Sequence, residues 1–216
     1  MMRQAGRYLP EYRALREGST FLGMVHDSEK ATEITLQPIR RYGMDAAVIF
    51  CDILVPPAAM GLEVEFVAGK GPLLGPPVRN RDHVESLVDF DAKEATGFLG
   101  DSIRGVRAEL GDERAIIGFC GAPFTVASYM VEGQSSRNFE NTKHLMLSEP
   151  ETFDRLLERV THNSIGYLRQ QVEAGADALQ IFDSWGGALA ADVYRCLLYT
   201  SPSPRDQRGS RMPSSA

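Results

Sequence analysis

Three short runs of apolar residues, each followed by polar side chains, stand out along the chain. The first covers residues 45–52 and reads Asp-Ala-Ala-Val-Ile-Phe-Cys-Asp, the second covers residues 115–120, and the third covers residues 178–182. Short apolar runs with β-branched residues and nearby glycines are typical of strands buried on both faces, as in parallel sheets. The pattern therefore predicts three buried strands.

Helical periodicity separates these strands. Ser28 is predicted to cap a helix that runs to about residue 41 and stops at Gly43, although Pro38 lies inside it. A second helix is predicted over residues 92–110, and a capping box at residues 148–151 is predicted to open a third. Strands separated by helices pair in parallel through right-handed crossovers, so their carboxyl ends meet on one rim.

The remaining segments are predicted to lack long helices. Residues 63–72 alternate as a short hairpin does, and residues 121–133 are predicted to form a loop. The Gly-Lys-Gly at 69–71 lacks the other glycines and the Ser or Thr of a phosphate loop. Past about residue 196 the chain is rich in Ser, Pro and Arg, so we assign residues 1–195 to the domain and residues 196–216 to a disordered or foreign tail.

The rim predicts an α/β fold, either a β/α barrel or a doubly wound sheet, with chemistry-bearing residues after each strand. Asp52 is the first candidate, because a carboxylate where a strand gives way to a loop faces the ligand crevice in such folds. Ser184 follows the third strand. Tyr129 follows the second, either as a core aromatic or with its hydroxyl directed into the crevice.

Near the amino end, Arg3 and Arg7 flank Gly6. Paired guanidinium groups beside a glycine can hold carboxylates or phosphates by bidentate hydrogen bonds. A solvated basic loop is the alternative interpretation, and spacing alone favours it.

Composition and charge exclude several classes of partner. The 216 residues carry a net charge of -6, with a pI near 5.3. Binding to nucleic acid or to an anionic membrane requires a basic surface, so small molecules are the predicted partners. No run approaches the roughly 18 apolar residues of a membrane span, and the opening residues lack an apolar signal core, so we predict a cytoplasmic location. Cys51, Cys120 and Cys196 show no paired spacing and are predicted to be buried, reduced thiols.

Five motifs, in order, resemble those of the uroporphyrinogen decarboxylase family. They are Arg-Gln-Ala-Gly-Arg-Tyr-Leu-Pro-Glu-Tyr at 3–12, Phe-Cys-Asp-Ile-Leu-Val at 50–55, Gly-Phe-Cys-Gly-Ala-Pro-Phe-Thr at 118–125, Tyr-Met-Val-Glu-Gly at 129–133 and Leu-Gln-Ile-Phe-Asp-Ser at 179–184. The resemblance runs from the first residue to about residue 195. It implies a (β/α)8 barrel, present here in part with about three barrel strands, that acts as a homodimer without metal or organic cofactor.

The resemblance also implies an activity and site residues. The family removes carbon dioxide from the four acetate side chains of uroporphyrinogen III, which gives coproporphyrinogen III. Carried over by motif, Arg3 and Arg7 hold substrate carboxylates, and Asp52 accepts hydrogen bonds from the pyrrole N–H groups. Tyr129 and Ser184 are further substrate contacts. The intervening residues, Gln4, Ala5 and Gly6, line the same wall as the arginines.

The chain departs from the family pattern at both ends, since the family normally begins some residues earlier and continues well past residue 195. The later strands and a substrate-contacting histidine belong to a part that is missing here, and none of the four histidines lies in a matching motif; they are His26, His83, His144 and His162. Three strands cannot close a barrel, so we expect an open hydrophobic edge and a chain that is inactive or insoluble alone. The general acid stays unassigned, because the high pKa of Arg3 makes it a poor proton donor.

Two other functions remain open at this point. A corrinoid-dependent methyltransferase of the same fold would need zinc held by His and Cys ligands, whereas the cysteines here stand apart from the histidines. A non-catalytic tetrapyrrole-binding module is the second alternative. Replacing Asp52 by alanine and by asparagine separates a binding module from a decarboxylase. A binding module would keep most of its affinity with asparagine, whereas a decarboxylase would lose turnover in both variants.

Overall fold

The computed structural model describes residues 6–67 and 69–200, with the side chains of residues 198–200 excepted. The strands are β1 (Ala46–Val48), β2 (Glu63–Val67), β3 (Gly71–Gly75), β4 (Ala115–Gly121) and β5 (Ala178–Phe182). The helices are α1 (Pro10–Arg16), α2 (Phe21–His26), α3 (Ser28–Tyr42), α4 (Val55–Ala59), α5 (Arg81–Glu85), α6 (Ala92–Ala95), α7 (Gly97–Leu110), α8 (Pro123–Glu132), α9 (Glu140–Ser148), α10 (Pro150–Glu173) and α11 (Ala191–Thr200).

A parallel sheet with the order β1-β4-β5 organises the described residues. The helices between these strands bring the chain back to the same end of the sheet before each new strand begins. All three strands therefore end on the same side of the sheet, which confirms the predicted rim. The α/β class is confirmed, whereas a closed barrel is not formed by the described residues.

Strand β1 is shorter than the predicted run of residues 45–52. After Val48, only the Ile49 amide still donates to β4, to the Ile117 carbonyl at 3.1 Å. The next amide, that of Phe50, donates instead to Thr35 Oγ1 of α3 at 2.9 Å. Because consecutive amides of a strand point to opposite sides, this bond anchors the far side of the chain to α3 just past the end of β1.

The early end of β1 leaves backbone groups of the central strand β4 without a strand partner, and Gln171 of α10 takes the place of one. Its Oε1 accepts from the Phe119 amide at 2.8 Å, and its Nε2 donates to the Phe119 carbonyl at 3.0 Å. Gln171 is fully buried. An amide side chain can satisfy both groups because it carries one acceptor and one donor in the same plane.

The segment predicted as a loop at residues 121–133 is mostly helix α8, so that prediction is wrong. Pro123 occupies the first turn, where its missing N–H costs nothing, and Gly133 ends the helix at φ 75°. Eight of its ten residues are buried, Glu132 among them. A helix covered on nearly all sides shows no one-sided apolar stripe, which is why helical periodicity did not reveal it.

Three other local predictions also need correction. Asp27 rather than Ser28 caps α3, through the Lys30 amide at 3.1 Å, although Gly43 stops the helix as predicted at φ 62°. The helix over residues 92–110 is two helices that break at Thr96, whose carbonyl accepts from Gln170 Nε2 at 2.9 Å. The capping box at 148–151 does not form, because the Ser148 hydroxyl donates back to the His144 carbonyl at 2.8 Å.

The predicted hairpin is confirmed as the antiparallel pair β2 and β3. Its Phe66 packs on Phe21 of α2 with ring centroids 4.6 Å apart, which fastens the hairpin over the amino-terminal helices. Ala68, part of the predicted alternation, lies outside the described residues.

Among the described residues, β5 is an edge strand of the parallel sheet. Leu179 and Ile181 remain 40% and 52% exposed there, unlike the buried residues of β4. The buried core lies between the sheet and the helices packed on it. The exposed apolar side chains match the open hydrophobic edge that three strands were expected to leave.

The division into a domain and a tail stays a prediction. Helix α11 runs through residue 196 to Thr200, and residues 201–216 lie outside the described residues.

Candidate functional site

Asp52 lies at the carboxyl end of β1, where the chain turns into α4. Its Oδ1 accepts from the Leu54 amide at 3.0 Å, and its carbonyl accepts from the Val55 amide at 3.3 Å. Its second oxygen, Oδ2, accepts no hydrogen bond from the described residues. One carboxylate oxygen thus holds the turn while the other stays available to donors from a ligand.

Burial dominates the electrostatics of Asp52. Loss of solvent raises the pKa of the carboxyl above its ordinary value, while the Leu54 amide and the positive charge of Arg7 act in the opposite direction. The influence of Arg7 shows that the structure brings these two candidates within electrostatic range of each other. The arrangement is an anion held in a partly dry site with a cation beside it.

Gly6 and Arg7 are placed by a tight turn at the start of α1. The Leu9 amide donates to the Gly6 carbonyl at 2.7 Å, and Gly6 has φ 53°. A Cβ on Gly6 would lie 2.7 Å from Leu9 Cδ1, so only glycine fits there. The other candidates of this segment, Arg3, Gln4 and Ala5, lie outside the described residues.

The Arg7 guanidinium packs on an aromatic ring, a contact that no local sequence pattern indicated. The Arg7 guanidinium carbon lies 5.0 Å from the centroid of the Phe21 ring, within the range of a cation–π contact. Phe21 in turn packs edge-on against Phe50 at 5.5 Å. Because Phe50 precedes Asp52 by two residues, this stack connects the exposed guanidinium with the loop that carries the carboxylate.

A neutral polar pair lies behind Asp52. Cys51 Sγ is 3.2 Å from the hydroxyl of the buried Tyr167. Burial raises the pKa of the Cys51 thiol to about 12 and that of Cys120 to about 12, so both remain protonated at neutral pH. All three thiols are free: Cys120 is buried, as predicted, Cys51 is half-buried, and Cys196 is exposed, so the prediction of burial is wrong for Cys196.

Tyr129 and Ser184 form the second part of the rim. Tyr129 is half-buried on α8, and its ring packs on Trp185 with centroids 5.9 Å apart. Trp185 also contacts Phe139 at 5.2 Å. Ser184, next to Trp185 in sequence, is exposed. Ser184 therefore follows the end of β5, whereas Tyr129 lies about two turns into the helix that follows β4 and reaches the end of β5 through its contact with Trp185.

Ile53 connects the two parts of the rim. A Cβ on Gly121, the last residue of β4, would lie 3.2 Å from Ile53 Cβ and 2.6 Å from Val126 Cγ2. The backbone leaving β1 thus runs directly against the end of β4 and the first turn of α8. The absence of a side chain at Gly121 permits this close approach.

Asp183 is a residue of the rim that sequence reasoning did not select. It stands at the end of β5 as Asp52 stands at the end of β1, but its carboxylate accepts hydrogen bonds from the hydroxyls of Thr125 and Tyr194. The position of an acid after an apolar run could have drawn attention to it. The identity of its partners could not be derived, because Thr125 is 58 residues away and no local pattern pairs Asp183 with Tyr194, 11 residues away.

The described part of the chain shows neither a metal-binding group nor a membrane-spanning helix. No three side chains of His, Cys, Asp and Glu within it are grouped so that they could hold a metal ion. None of its helices combines the length and apolar character needed to cross a membrane.

Comparison with known proteins gives a consistent result. The family described as Uroporphyrinogen decarboxylase (URO-D) matches residues 1–201. The uroporphyrinogen decarboxylase of Alkalilimnicola ehrlichii is 48% identical over 196 residues, which cover 90% of this chain and 54% of the relative. That of Myxococcus xanthus is 46% identical over 215 residues, 99% of this chain and 62% of the relative. The chain thus spans between half and two thirds of the length of these curated relatives.

A solved structure supports the fold. A methyltransferase from Methanosarcina mazei superposes with a TM-score of 0.68 over 83% of this chain and 53% of its own, at 23% sequence identity. Identity this low indicates a shared architecture and carries no statement about chemistry. Since the family match extends over nearly the whole chain and the relatives reach 46–48% identity, the chain belongs to the uroporphyrinogen decarboxylase family.

Proposed function

We propose that this chain supplies the amino-terminal part of the active site of a uroporphyrinogen decarboxylase. The reaction converts the four acetate side chains of uroporphyrinogen III into methyl groups and gives coproporphyrinogen III. The observation that carries this proposal is a partly buried carboxylate, Asp52, beyond the end of β1 with the positive charge of Arg7 within electrostatic range of it. The setting that goes with it is a homodimer in the cytoplasm, active without metal or organic cofactor.

Arg7 is suited to bind the periphery of the substrate. Uroporphyrinogen carries eight carboxylates, whereas the chain has a net charge of -6, so binding requires local positive charge. The Phe21 ring holds the Arg7 guanidinium in place without neutralising it. Arg3 provides a second guanidinium in this proposal, with Gln4, Ala5 and Gly6 lining the wall between them.

Asp52 is suited to bind the centre of the macrocycle. Its Oδ2, which accepts no hydrogen bond from the described residues, can accept hydrogen bonds from the converging pyrrole N–H groups in the ground state. In the reaction a proton adds to the pyrrole ring, the bond between the methylene carbon and the carboxylate breaks, and carbon dioxide leaves; the methylene carbon then takes up a proton as the ring loses one. The cationic ring intermediate develops charge near Asp52, which a preorganised carboxylate stabilises.

Tyr129 and Ser184 complete the proposed binding surface. Ser184 follows β5, and Tyr129 lies on α8, the helix that follows β4, so both come from segments that leave the sheet at the same end as Asp52. Tyr129 offers a hydroxyl at the end of a ring that Trp185 supports, and Ser184 offers an exposed hydroxyl. Hydroxyl groups can donate to substrate carboxylates without adding charge to the site.

The proposed function is tested with a chimera that joins residues 1–195 to the carboxyl-terminal part of the Alkalilimnicola ehrlichii relative. We expect the chimera to convert uroporphyrinogen III to coproporphyrinogen III, and the 216-residue chain alone to show no turnover, because its described strands leave the β5 edge open. Products are separated by chromatography after oxidation. Turnover by the chain alone would contradict the requirement for further strands, and a folded chimera without turnover would contradict the proposed function.

Replacing Arg7 by alanine in the chimera is expected to raise KM roughly 10- to 100-fold with a smaller change in kcat, since about 1.5–3 kcal/mol of charge-assisted binding is lost. Lysine at this position keeps the charge but not the planar fork, so Arg7→Lys should fall between. Arg13→Ala, which removes another exposed arginine of the same segment, is the matched control. An unchanged KM in Arg7→Ala would remove Arg7 from the binding surface.

A further inference from the structure

A cluster of hydrogen bonds, here named the Asp183 clasp, joins the ends of β4 and β5. It consists of Asp183, Thr125, Tyr194 and the backbone amide of Trp185. Thr125 Oγ1 donates to Asp183 Oδ1 at 2.7 Å, and the Tyr194 hydroxyl donates to Oδ2. The Trp185 amide donates to Thr125 Oγ1 at 3.1 Å. The Thr125 hydroxyl therefore acts as donor and acceptor at once and links the carboxylate to the chain two residues further on.

The clasp engages both oxygens of the Asp183 carboxylate. Hydroxyl donors come from α8 on one side and from α11 on the other. The carboxylate raises the pKa of the Tyr194 hydroxyl to about 12, so this donor keeps its proton at neutral pH. Asp183 therefore differs from Asp52, whose Oδ2 accepts no hydrogen bond from the described residues.

The chain packs closely against the clasp at Gly186 and Thr125. A Cβ on Gly186 would lie 2.9 Å from Asp183 Oδ2 and 3.0 Å from Tyr194 Cε2. Thr125 is completely buried. A backbone hydrogen bond, from the Ala122 amide to the Phe182 carbonyl at 2.8 Å, joins the same two segments beside the carboxylate.

The clasp determines where two proposed substrate contacts stand. Thr125 and Tyr129 are four residues apart on α8 and so lie on the same side of that helix. The Trp185 ring, held at its backbone by Thr125, packs on the Tyr129 ring at 5.9 Å. Ser184 lies between Asp183 and Trp185 in sequence, so the clasp fixes its backbone from both sides.

We infer that Asp183 is a positioning residue that fixes Tyr129 and Ser184 on the rim through Thr125 and Trp185. The inference deepens the proposed function and rests on it for the role of Tyr129 and Ser184 as substrate contacts. The clasp itself is a property of the protein without substrate, so its failure and the failure of the proposed function are measured separately.

The clasp is tested in the 216-residue chain, whose only tryptophan is Trp185. Thr125→Val removes the acceptor of the Trp185 amide, so the exchange of this amide should accelerate roughly 10-fold and the fluorescence of Trp185 should become easier to quench with acrylamide. Thr125→Ser, which keeps the hydroxyl, is the matched control and should resemble the parent. Unchanged exchange and quenching in Thr125→Val would overturn the inference.

Asp183 variants separate positioning from chemistry. Asp183→Ala should change the Trp185 fluorescence as Thr125→Val does, whereas Asp183→Asn can still accept from Thr125 and should restore most of the parent signal. In the chimera, Asp183→Asn should keep kcat within about threefold of the parent, while Asp183→Ala should lower kcat more than 10-fold. Loss of turnover in Asp183→Asn with an unchanged Trp185 signal would show that Asp183 acts on the substrate and would overturn the inference.

Discussion

Replacement of Asp52 by alanine is expected to lower kcat/KM of the chimera for uroporphyrinogen about 10²- to 10³-fold, the usual size of losing one preorganised electrostatic group. The partly dry surroundings of the carboxylate, and an Oδ2 that accepts no hydrogen bond from the described residues, give it this weight. Initial rates of coproporphyrinogen formation measure the effect. Asp45→Ala, which removes the exposed aspartate that precedes the opposite end of β1, is the matched control and should leave kcat/KM unchanged.

Asparagine at position 52 tests what the charge itself contributes. It keeps an acceptor for the pyrrole N–H groups but cannot balance a positive charge on the ring, so Asp52→Asn should lose most of the turnover while keeping more binding than Asp52→Ala. Substrate binding is followed separately under conditions of negligible turnover. An Asp52→Asn chimera that turns over at the parent rate would show that the charge does not assist the reaction.

The same substitution should stabilise the fold at neutral pH. Burial raises the pKa of Asp52 in the folded state, so the folded protein holds this proton more tightly than the unfolded chain and loses stability as the pH rises through the folded pKa. Asp52→Asn removes this loss, and its advantage should disappear as the pH falls below the unfolded pKa near 3.9. Urea denaturation of the 216-residue chain at several pH values measures this, and equal midpoints at neutral pH would contradict it.

Gain of stability with loss of turnover in one variant would indicate that Asp52 is kept for function. Exposed polar side chains at the end of a sheet cost little free energy of folding, because they remain hydrated. Asp52 is different, since its burial opposes ionisation and only the Leu54 amide and the charge of Arg7 act against that burial. A site that costs stability is typical of a functional residue rather than of a structural one.

The sequence predicted the frame of this site well, because strand pairing depends on patterns that a single chain displays. The apolar runs of β4 and β5, the helices between them and the left-handed stop at Gly43 all follow from local composition. The placement of Asp52 at the end of β1 followed from the same argument. Parallel pairing then brought distant segments to one rim without any knowledge of their side-chain contacts.

What the sequence could not predict depends on contacts between distant residues. Helix α8 was not predicted because it is buried on nearly all sides, and the bond from the Phe50 amide to Thr35 of α3, just past β1, has no local sequence pattern. The contact of Arg7 with Phe21 and the hydroxyl partners of Asp183 likewise join different elements of the fold. Such pairings have no local pattern, since any aromatic or hydroxyl side chain would look the same in the sequence.

Gln171 provides the largest expected effect on stability. Gln171→Leu keeps the volume of the side chain but leaves the Phe119 amide and carbonyl buried without partners, at a cost of about 1–3 kcal/mol each, or roughly 2–6 kcal/mol together. Urea denaturation of the 216-residue chain measures the loss. Gln180→Leu, the same change on the exposed edge strand β5, is the matched control and should stay within about 0.5 kcal/mol.

Two companion variants identify the cause. Gln171→Glu keeps the acceptor for the Phe119 amide but loses the donor to the Phe119 carbonyl and adds a buried charge, so it should also destabilise the chain. Gly118→Ala would place a Cβ 2.4 Å from Gln171 Oε1 and should displace the same side chain. If Gln171→Leu costs less than about 1 kcal/mol, the Phe119 backbone groups find other partners. If the cost is as large as expected, a helix side chain rather than a neighbouring strand satisfies the backbone of β4 at Phe119. The chain can then leave β1 early and place Asp52 in the loop beyond the sheet without leaving the Phe119 groups unpaired.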